Sequence, residues 1–140
     1  MKVKEFMTKF EDLITCEATA SIQDVCGLMA KNHISAVIVV DSKKKTLGFI
    51  SKTDIIEYIS AFSLDKTKIT AKDLMNSEIL FCQDDDDLMQ ATDTLVKFKM
   101  HHFLVKDSQG VIVGLMSSLD FAKGFVQDSQ RGIFEKLFKK

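Results

Sequence analysis

Three observations in this sequence predict an α/β fold built from two copies of one unit. Asp41-Ser42 followed by Gly48-Phe49-Ile50-Ser51-Lys52-Thr53-Asp54 recurs as Asp107-Ser108 followed by Gly114-Leu115-Met116-Ser117-Ser118-Leu119-Asp120. The offset of 66 residues holds without a gap from Leu13/Ile79 to Asp54/Asp120. Within each copy, apolar β-branched runs alternate with stretches of helical period. The chain of 140 residues, 46% of them apolar, suits one compact domain or two half-domains that bury a shared face against each other.

The elements follow in order. Residues 3–7 form a short helical lead-in and residues 13–16 a short apolar strand. Ile22, Val25, Cys26, Met29 and Ala30 fall at helical spacing, so a helix is expected over 22–32. Ser21 and Asp24 supply its capping box. The run Ala36-Val37-Ile38-Val39-Val40 suits a strand buried on both faces. Asp41 to Lys45 makes a turn, residues 46–50 return as the partner strand, and a helix covers 52–62. Residues 63–70 link to the second copy, with its lead-in at 71–75, strand at 79–82, helix at 88–98, strands at 102–106 and 111–116, and helix at 119–126. The order is helix-strand-helix-strand-strand-helix, twice, with helices covering one side of each sheet. The expected division is 1–62, linker 63–70, 71–126 and a helical tail 127–140. In the tail Ile133, Phe134, Leu137 and Phe138 share a stripe that serves either the domain's own core or a dimer contact.

Composition narrows the function classes. A net charge of −1 provides no general field to attract nucleic acid or a membrane, and no terminal apolar run reaches the roughly 18 residues of a bilayer span. The N-terminus lacks a signal-peptide pattern, so a cytoplasmic protein is expected. Three cysteines exclude a complete disulfide framework; Cys16 and Cys82, matched in the two copies, read as small buried hydrophobes. No cysteine/histidine cluster suggests structural zinc. Asp84 to Asp87 lacks a calcium-loop pattern and reads as a solvated turn with Asp87 as a helix cap. The scattered lysines make no nucleic-acid footprint. Neither phosphate-loop glycine pattern occurs, and His33, His101 and His102 make no catalytic constellation with the aspartates; no enzyme is expected.

The repeated Gly-hydrophobic-hydrophobic-Ser-x-x-Asp lies at a strand-to-helix junction, where three physical roles meet. A glycine next to the strand end lets a ligand approach the backbone closely. The free amides of a helix start suit phosphate. The aspartate suits a ribose diol, through charge-assisted bonds. The same Ser51-x-x-Asp54 and Ser117-x-x-Asp120 are also complete capping boxes, which need no ligand.

Taken with the lead-ins Lys4-Glu5-Phe6-Met7 and Lys72-Asp73-Leu74-Met75, and with strands ending in Asp41 and Asp107, this doubled motif resembles paired CBS (cystathionine β-synthase) domains, the Bateman module. The resemblance runs from Lys4 to about Phe125. It implies two repeats packed with pseudo-twofold symmetry and inter-repeat clefts that hold adenine nucleotides. It implies nucleotide contacts from Ser51, Asp54, Ser117 and Asp120, from Thr15 near the base, and from His101 and His102 toward phosphates. Phe81 replaces the family's threonine in copy two, and either packs on adenine or plugs the site. Lys52 is a further candidate cation in copy one. The implied ligand is AMP, ADP or ATP, and less often NAD or S-adenosylmethionine, acting as a regulatory ligand with no obligatory cofactor. The implied protein is a homodimer signalling to a separate effector protein, with Ile55, Ile56, Ile59, Phe121 and Phe125 serving either the dimer face or the core. A ligand-free dimerisation or interaction scaffold is the alternative.

Overall fold

The computed structural model describes residues 1–63, 65–77 and 79–138, with side chains 128 and 131–138 excepted. The chain forms two compact units, residues 13–79 and residues 1–12 with 80–140.

In the unit of residues 13–79, β2 (Thr15–Glu17) lies parallel to β3 (Ala36–Val40), and β3 antiparallel to β4 (Thr46–Ser51). Helix α1 (Ile22–Asn32) crosses from β2 to β3, as a parallel pair requires, and α2 (Lys52–Ala61) leaves the end of β4. The apolar stripe of α1, Ile22, Val25 and Met29, joins Ile55 of α2 in a core with Val37, Val39 and Ile50. Ile38 and Val40, of opposite parity on β3, are buried too, so the wholly apolar run reflects burial of both faces. Ser21 caps α1 by accepting the Asp24 N–H at 3.1 Å.

The unit containing residues 80–140 repeats this plan. Strand β5 (Phe81–Gln83) is parallel to β6 (His102–Lys106), which is antiparallel to β7 (Ile112–Ser117). Helix α4 (Leu88–Lys97) links β5 to β6, and α5 (Ser118–Phe138) follows β7 as one helix of 21 residues. The sequence reading ended this helix near residue 126; no proline or capping pattern interrupts it, and it continues. The side chains of Ile133, Phe134, Leu137 and Phe138, on which the stripe depends, lie outside the described ones.

The compact units do not coincide with the repeats as read from the sequence. The first lead-in, a 3₁₀ turn at Val3–Glu5 and a two-residue strand β1 (Thr8–Lys9), belongs with the second repeat's sheet, where β1 pairs with β7. The acidic turn receives it: Val3 N–H donates to the Asp86 carbonyl at 3.0 Å, Lys4 N–H to the Asp84 carbonyl at 2.9 Å, and Lys4 Nζ meets Asp85 at 2.8 Å. Asp87 accepts the Met89 and Gln90 amides at 3.1 and 3.3 Å, capping α4. The second lead-in, α3 (Ala71–Leu74), belongs with the first repeat's sheet. Its Ala71 and Lys72 amides donate to the Ala20 and Ala18 carbonyls, and Asn76 bridges Phe49.

The two hairpins share one device. Asp41 Oδ1 accepts the amides of Lys43 and Lys45, each at 2.9 Å, and Asp107 Oδ1 those of Gln109 and Val111 at 2.9 and 3.0 Å. At the matched left-handed position stand Lys44, φ 67°, in copy one and Gly110, φ 79°, in copy two.

Candidate functional site

Both strand-to-helix junctions are closed capping boxes. Asp54 Oδ2 accepts the Ser51 N–H at 2.8 Å and the Ser51 hydroxyl at 2.9 Å, while Asp54 N–H donates to Ser51 Oγ at 3.2 Å. Asp120 Oδ2 takes the Ser117 N–H at 2.9 Å and hydroxyl at 3.0 Å, and Asp120 N–H donates to Ser117 Oγ at 3.3 Å. All four residues are half-buried. Each box uses Oδ2 alone, and Oδ1 of either aspartate has no partner among the described residues.

The boxes also remove most of the anion site expected at these helix starts. The amides of Ser51 and Asp54 are taken by the cap, and Lys52 N–H donates to the Ser35 carbonyl at 2.9 Å. In copy two Ser118 N–H donates to the His101 carbonyl at 2.9 Å. Of these first-turn amides, Thr53 and Leu119 are the ones left without a partner among the described residues. Each junction thus offers few open backbone amides.

The expected room for a ligand beside the motif glycines is taken up by backbone. A Cβ on Gly48 would lie 2.6 Å from the Asn76 carbonyl oxygen, and one on Gly114 2.6 Å from the Thr8 carbonyl oxygen. The lead-in strands need this space to pair with β4 and β7. The motif glycine is explained by backbone packing, and the sequence carried no signal for it because the lead-in is remote in the chain.

Register shows which predicted residues share a face. Thr15, half-buried, pairs with Ile38, which pairs with Phe49, and Ala36 pairs with Ser51. These residues share a parity opposite to the helix-packed Val37, Val39 and Ile50, so Thr15 and Ser51 lie on the face away from that core. The same rows in copy two join Phe81 to Leu104 and Leu115, and His102 to Ser117. His102 is buried and belongs to this face, whereas His101 precedes the strand and is exposed. The adjacent histidines thus separate, and copy one has Ala36 at the position of His102.

Phe81 is 40% exposed, and Lys106 Nζ stands 3.6 Å from its ring centroid. This cation–π contact was missed from sequence, although a lysine ending an apolar strand, where copy one has Val40, was its visible trace. Lys52 lines a pocket with residues of α1 and α2. Ile55 and Phe121 are core, at 8% and 2% exposure, while Ile56 and Ile59 are exposed. Burial pushes the Cys16 thiol up to about 11 and, aided by Asp86, the Cys82 thiol up to about 12. No described helix is long and apolar enough to cross a membrane.

Comparison with known proteins agrees with this architecture. A CBS domain model matches residues 3–61 and again 71–126. An uncharacterized protein of Methanopyrus kandleri is 20% identical over 78% of this chain and 56% of its own length. The chloroplastic CBS domain-containing protein CBSX1 of Arabidopsis thaliana is 25% identical over 93% of this chain and 66% of its own length. This chain therefore spans just over half to about two-thirds of these relatives. Among solved structures, CBSX2 in complex with AMP superposes with a TM-score of 0.76 at 22% identity, covering 91% of this chain and 98% of that one. The CBS domain of a bacterial CNNM/CorC family Mg²⁺ transporter in complex with ATP gives a TM-score of 0.76 at 22% identity, over 90% of this chain and 87% of that one. With a family model that matches twice and whose two matches together cover most of its length, the chain belongs to the CBS domain family and carries two copies of that domain.

Proposed function

We propose that this chain is a non-catalytic regulatory module that binds an adenine nucleotide, AMP, ADP or ATP, and signals occupancy to a separate effector protein through its conformation or its packing as a homodimer. The observation that carries this reading is the unshared Oδ1 of Asp54 and Asp120 beside a completed cap. Each carboxylate is held rigid through Oδ2 and presents a second oxygen to the hydroxyls of a ribose. The relatives bear on ligand class: one matched structure holds AMP, another ATP, and a further relative is a 5'-AMP-activated protein kinase subunit gamma of Kluyveromyces lactis.

In this reading copy two is the stronger site. His102, sharing a face with Ser117, and His101 supply the donors for phosphate that the capped helix start lacks. Copy one has Thr15 for the base and no cation in the place of His102. A base stacking on Phe81 must displace or share Lys106. The homodimer face is assigned to Ile56 and Ile59, since Ile55 and Phe121 are committed to cores. A ligand moves such a module only if it binds one conformation better than another.

A second reading, a ligand-free scaffold, is favoured by the completeness of both capping boxes. Calorimetric titration with AMP, ADP, ATP, NAD and S-adenosylmethionine separates the two. The expected result is saturable binding, weakened at least about tenfold by Asp120→Ala, since charge-assisted bonds contribute about 1.5–3 kcal/mol, and less by Asp54→Ala. No heat from any of the five, with no nucleotide co-purified, refutes the sensor and leaves the scaffold.

A further inference from the structure

On β6 the residues that face away from the helix-packed core are His102, Leu104 and Lys106, since Phe103 and Val105 join a core with Leu88, Ala91 and Leu95 of α4 and Phe121 of α5. Phe81 pairs with Leu104 and stands on this face, 40% exposed, with Lys106 Nζ 3.6 Å from its ring centroid. A dimer formed through the helices uses the opposite side of this sheet. Copy one lacks the pair: its matched residues are Thr15 and Val40, and Val40 is 1% exposed. Lys106 Nζ makes no ion pair with a carboxylate among the described residues, and its partner there is the Phe81 ring.

The 3.6 Å separation decides what a ligand meets. An aromatic base stacked on Phe81 lies about 3.5–4.0 Å above the ring, in the plane the ammonium now occupies. Base and ammonium cannot share that place, so Lys106 moves to the rim of the base, in its plane. An ammonium has three donors and no acceptor. At the rim it favours a base whose edge accepts. A 6-oxopurine offers O6 and N7 side by side, whereas adenine offers N7 beside an amino donor. Gln83, paired with Lys106 in register, can turn its amide to either purine, so the discrimination falls to Lys106.

The register sets which edge that is. His102 pairs with Ser117, Leu104 with Phe81 and Leu115, and Lys106 follows, successive rows of this face lying about 7 Å apart. With the ribose at Ser117 and Asp120 and the base on Phe81, the edge remote from the sugar points toward Lys106. We infer that Phe81 and Lys106 make copy two selective for a 6-oxopurine nucleotide, Phe81 as the stacking platform and Lys106 Nζ as donor to O6 and N7. This rests on the nucleotide reading above for the place of the ribose, and it widens the ligand class of that site beyond adenine. An adenine nucleotide still stacks there, but sets its amino group against a donor.

The test is calorimetric titration of the full chain with IMP and AMP, which differ at purine position 6, repeated in Lys106→Met, Phe81→Leu and Asp120→Ala. For the binding event that Asp120→Ala weakens, IMP should bind at least about fivefold more tightly than AMP, the lower end of what one well-placed base contact discriminates. Lys106→Met should erase that preference. Phe81→Leu should weaken both ligands about fivefold or more, through lost stacking. In NMR spectra the upfield ring-current shift of the Lys106 Hε protons, present in the free chain and absent in Phe81→Leu, should be relieved by IMP. AMP binding as tightly as IMP, a preference that survives Lys106→Met, or full IMP affinity in Phe81→Leu overturns the inference and leaves the adenine-sensor reading standing. Binding of neither nucleotide overturns both.

Discussion

Gly48→Ala tests the account of the motif glycine most directly. Its built Cβ lies 2.6 Å from the Asn76 oxygen and 3.3 Å from the Asn76 carbonyl carbon, and backbone cannot yield as a flexible side chain can. The segment at Asn76 must retreat, and two hydrogen bonds depend on it: Asn76 N–H to the Phe49 carbonyl at 2.8 Å and Phe49 N–H to the Asn76 carbonyl at 3.2 Å. At about 1 kcal/mol net for each, their loss costs about 2 kcal/mol, against the roughly 5–15 kcal/mol that stabilises a domain. For a chain of this size that corresponds to a fall in Tm of about 5–10 °C. The control is Gly27→Ala, where nothing lies within 4 Å of the new Cβ in an exposed stretch of α1. There the substitution should stabilise by about 1 kcal/mol, through helix propensity. Thermal circular dichroism gives both shifts, and hydrogen exchange reads the Asn76 amide. A Gly48→Ala protein with unchanged Tm and a protected Asn76 amide would refute the packing argument and return the glycine to a ligand role.

Three further outcomes are expected. Lys44→Gly should raise stability by about 1 kcal/mol, because a lysine at φ 67° bears the left-handed cost that Gly110 avoids in the matched turn; a lower Tm in calorimetry counts against it. Iodoacetamide at pH 8 should modify exposed Cys26 rapidly, and Cys16 and Cys82 only on unfolding, since burial holds their thiols protonated; mass spectrometry of partly labelled native protein decides this. Asp73 titrates below its ordinary 3.8 because its carboxylate accepts the Thr70 amide and then the Thr70 hydroxyl. Its folded value is the lower one, so its stabilisation is present above pH 3.8 and lost as pH falls through the lowered value. An NMR titration midpoint at or above 3.8 would disprove the cap.

Local rules carried the sequence reading a long way. Helix α1 begins and ends where Ser21 and the stripe from Ile22 to Met29 place it, because caps and helical spacing act over only a few residues. Strands β3 and β6 were legible as apolar runs, and both Ser-x-x-Asp boxes formed as their spacing requires. The doubling of the motif was visible because a gapless offset needs no structure to detect.

What the sequence withheld is non-local. Strand β1 has two residues and no period, so its pairing with β7 and the space reserved by Gly114 depend on a contact across most of the chain. Ile55 and Ile56 are neighbours with the same side chain, yet one is core and the other exposed, since the helix turns about 100° between them. His101 and His102 part in the same way across a strand end. The amides that composition offered to a phosphate are mostly satisfied, because the cap and the Ser35 and His101 carbonyls reach them first. The sequence by itself determined two CBS repeats and their capped junctions, since these rest on short-range periodicity and hydrogen bonding. Tertiary structure alone decided which lead-in completes which sheet, which donors stay open and where the α1–α2 pocket lies, since each depends on backbone brought together from distant parts of the chain.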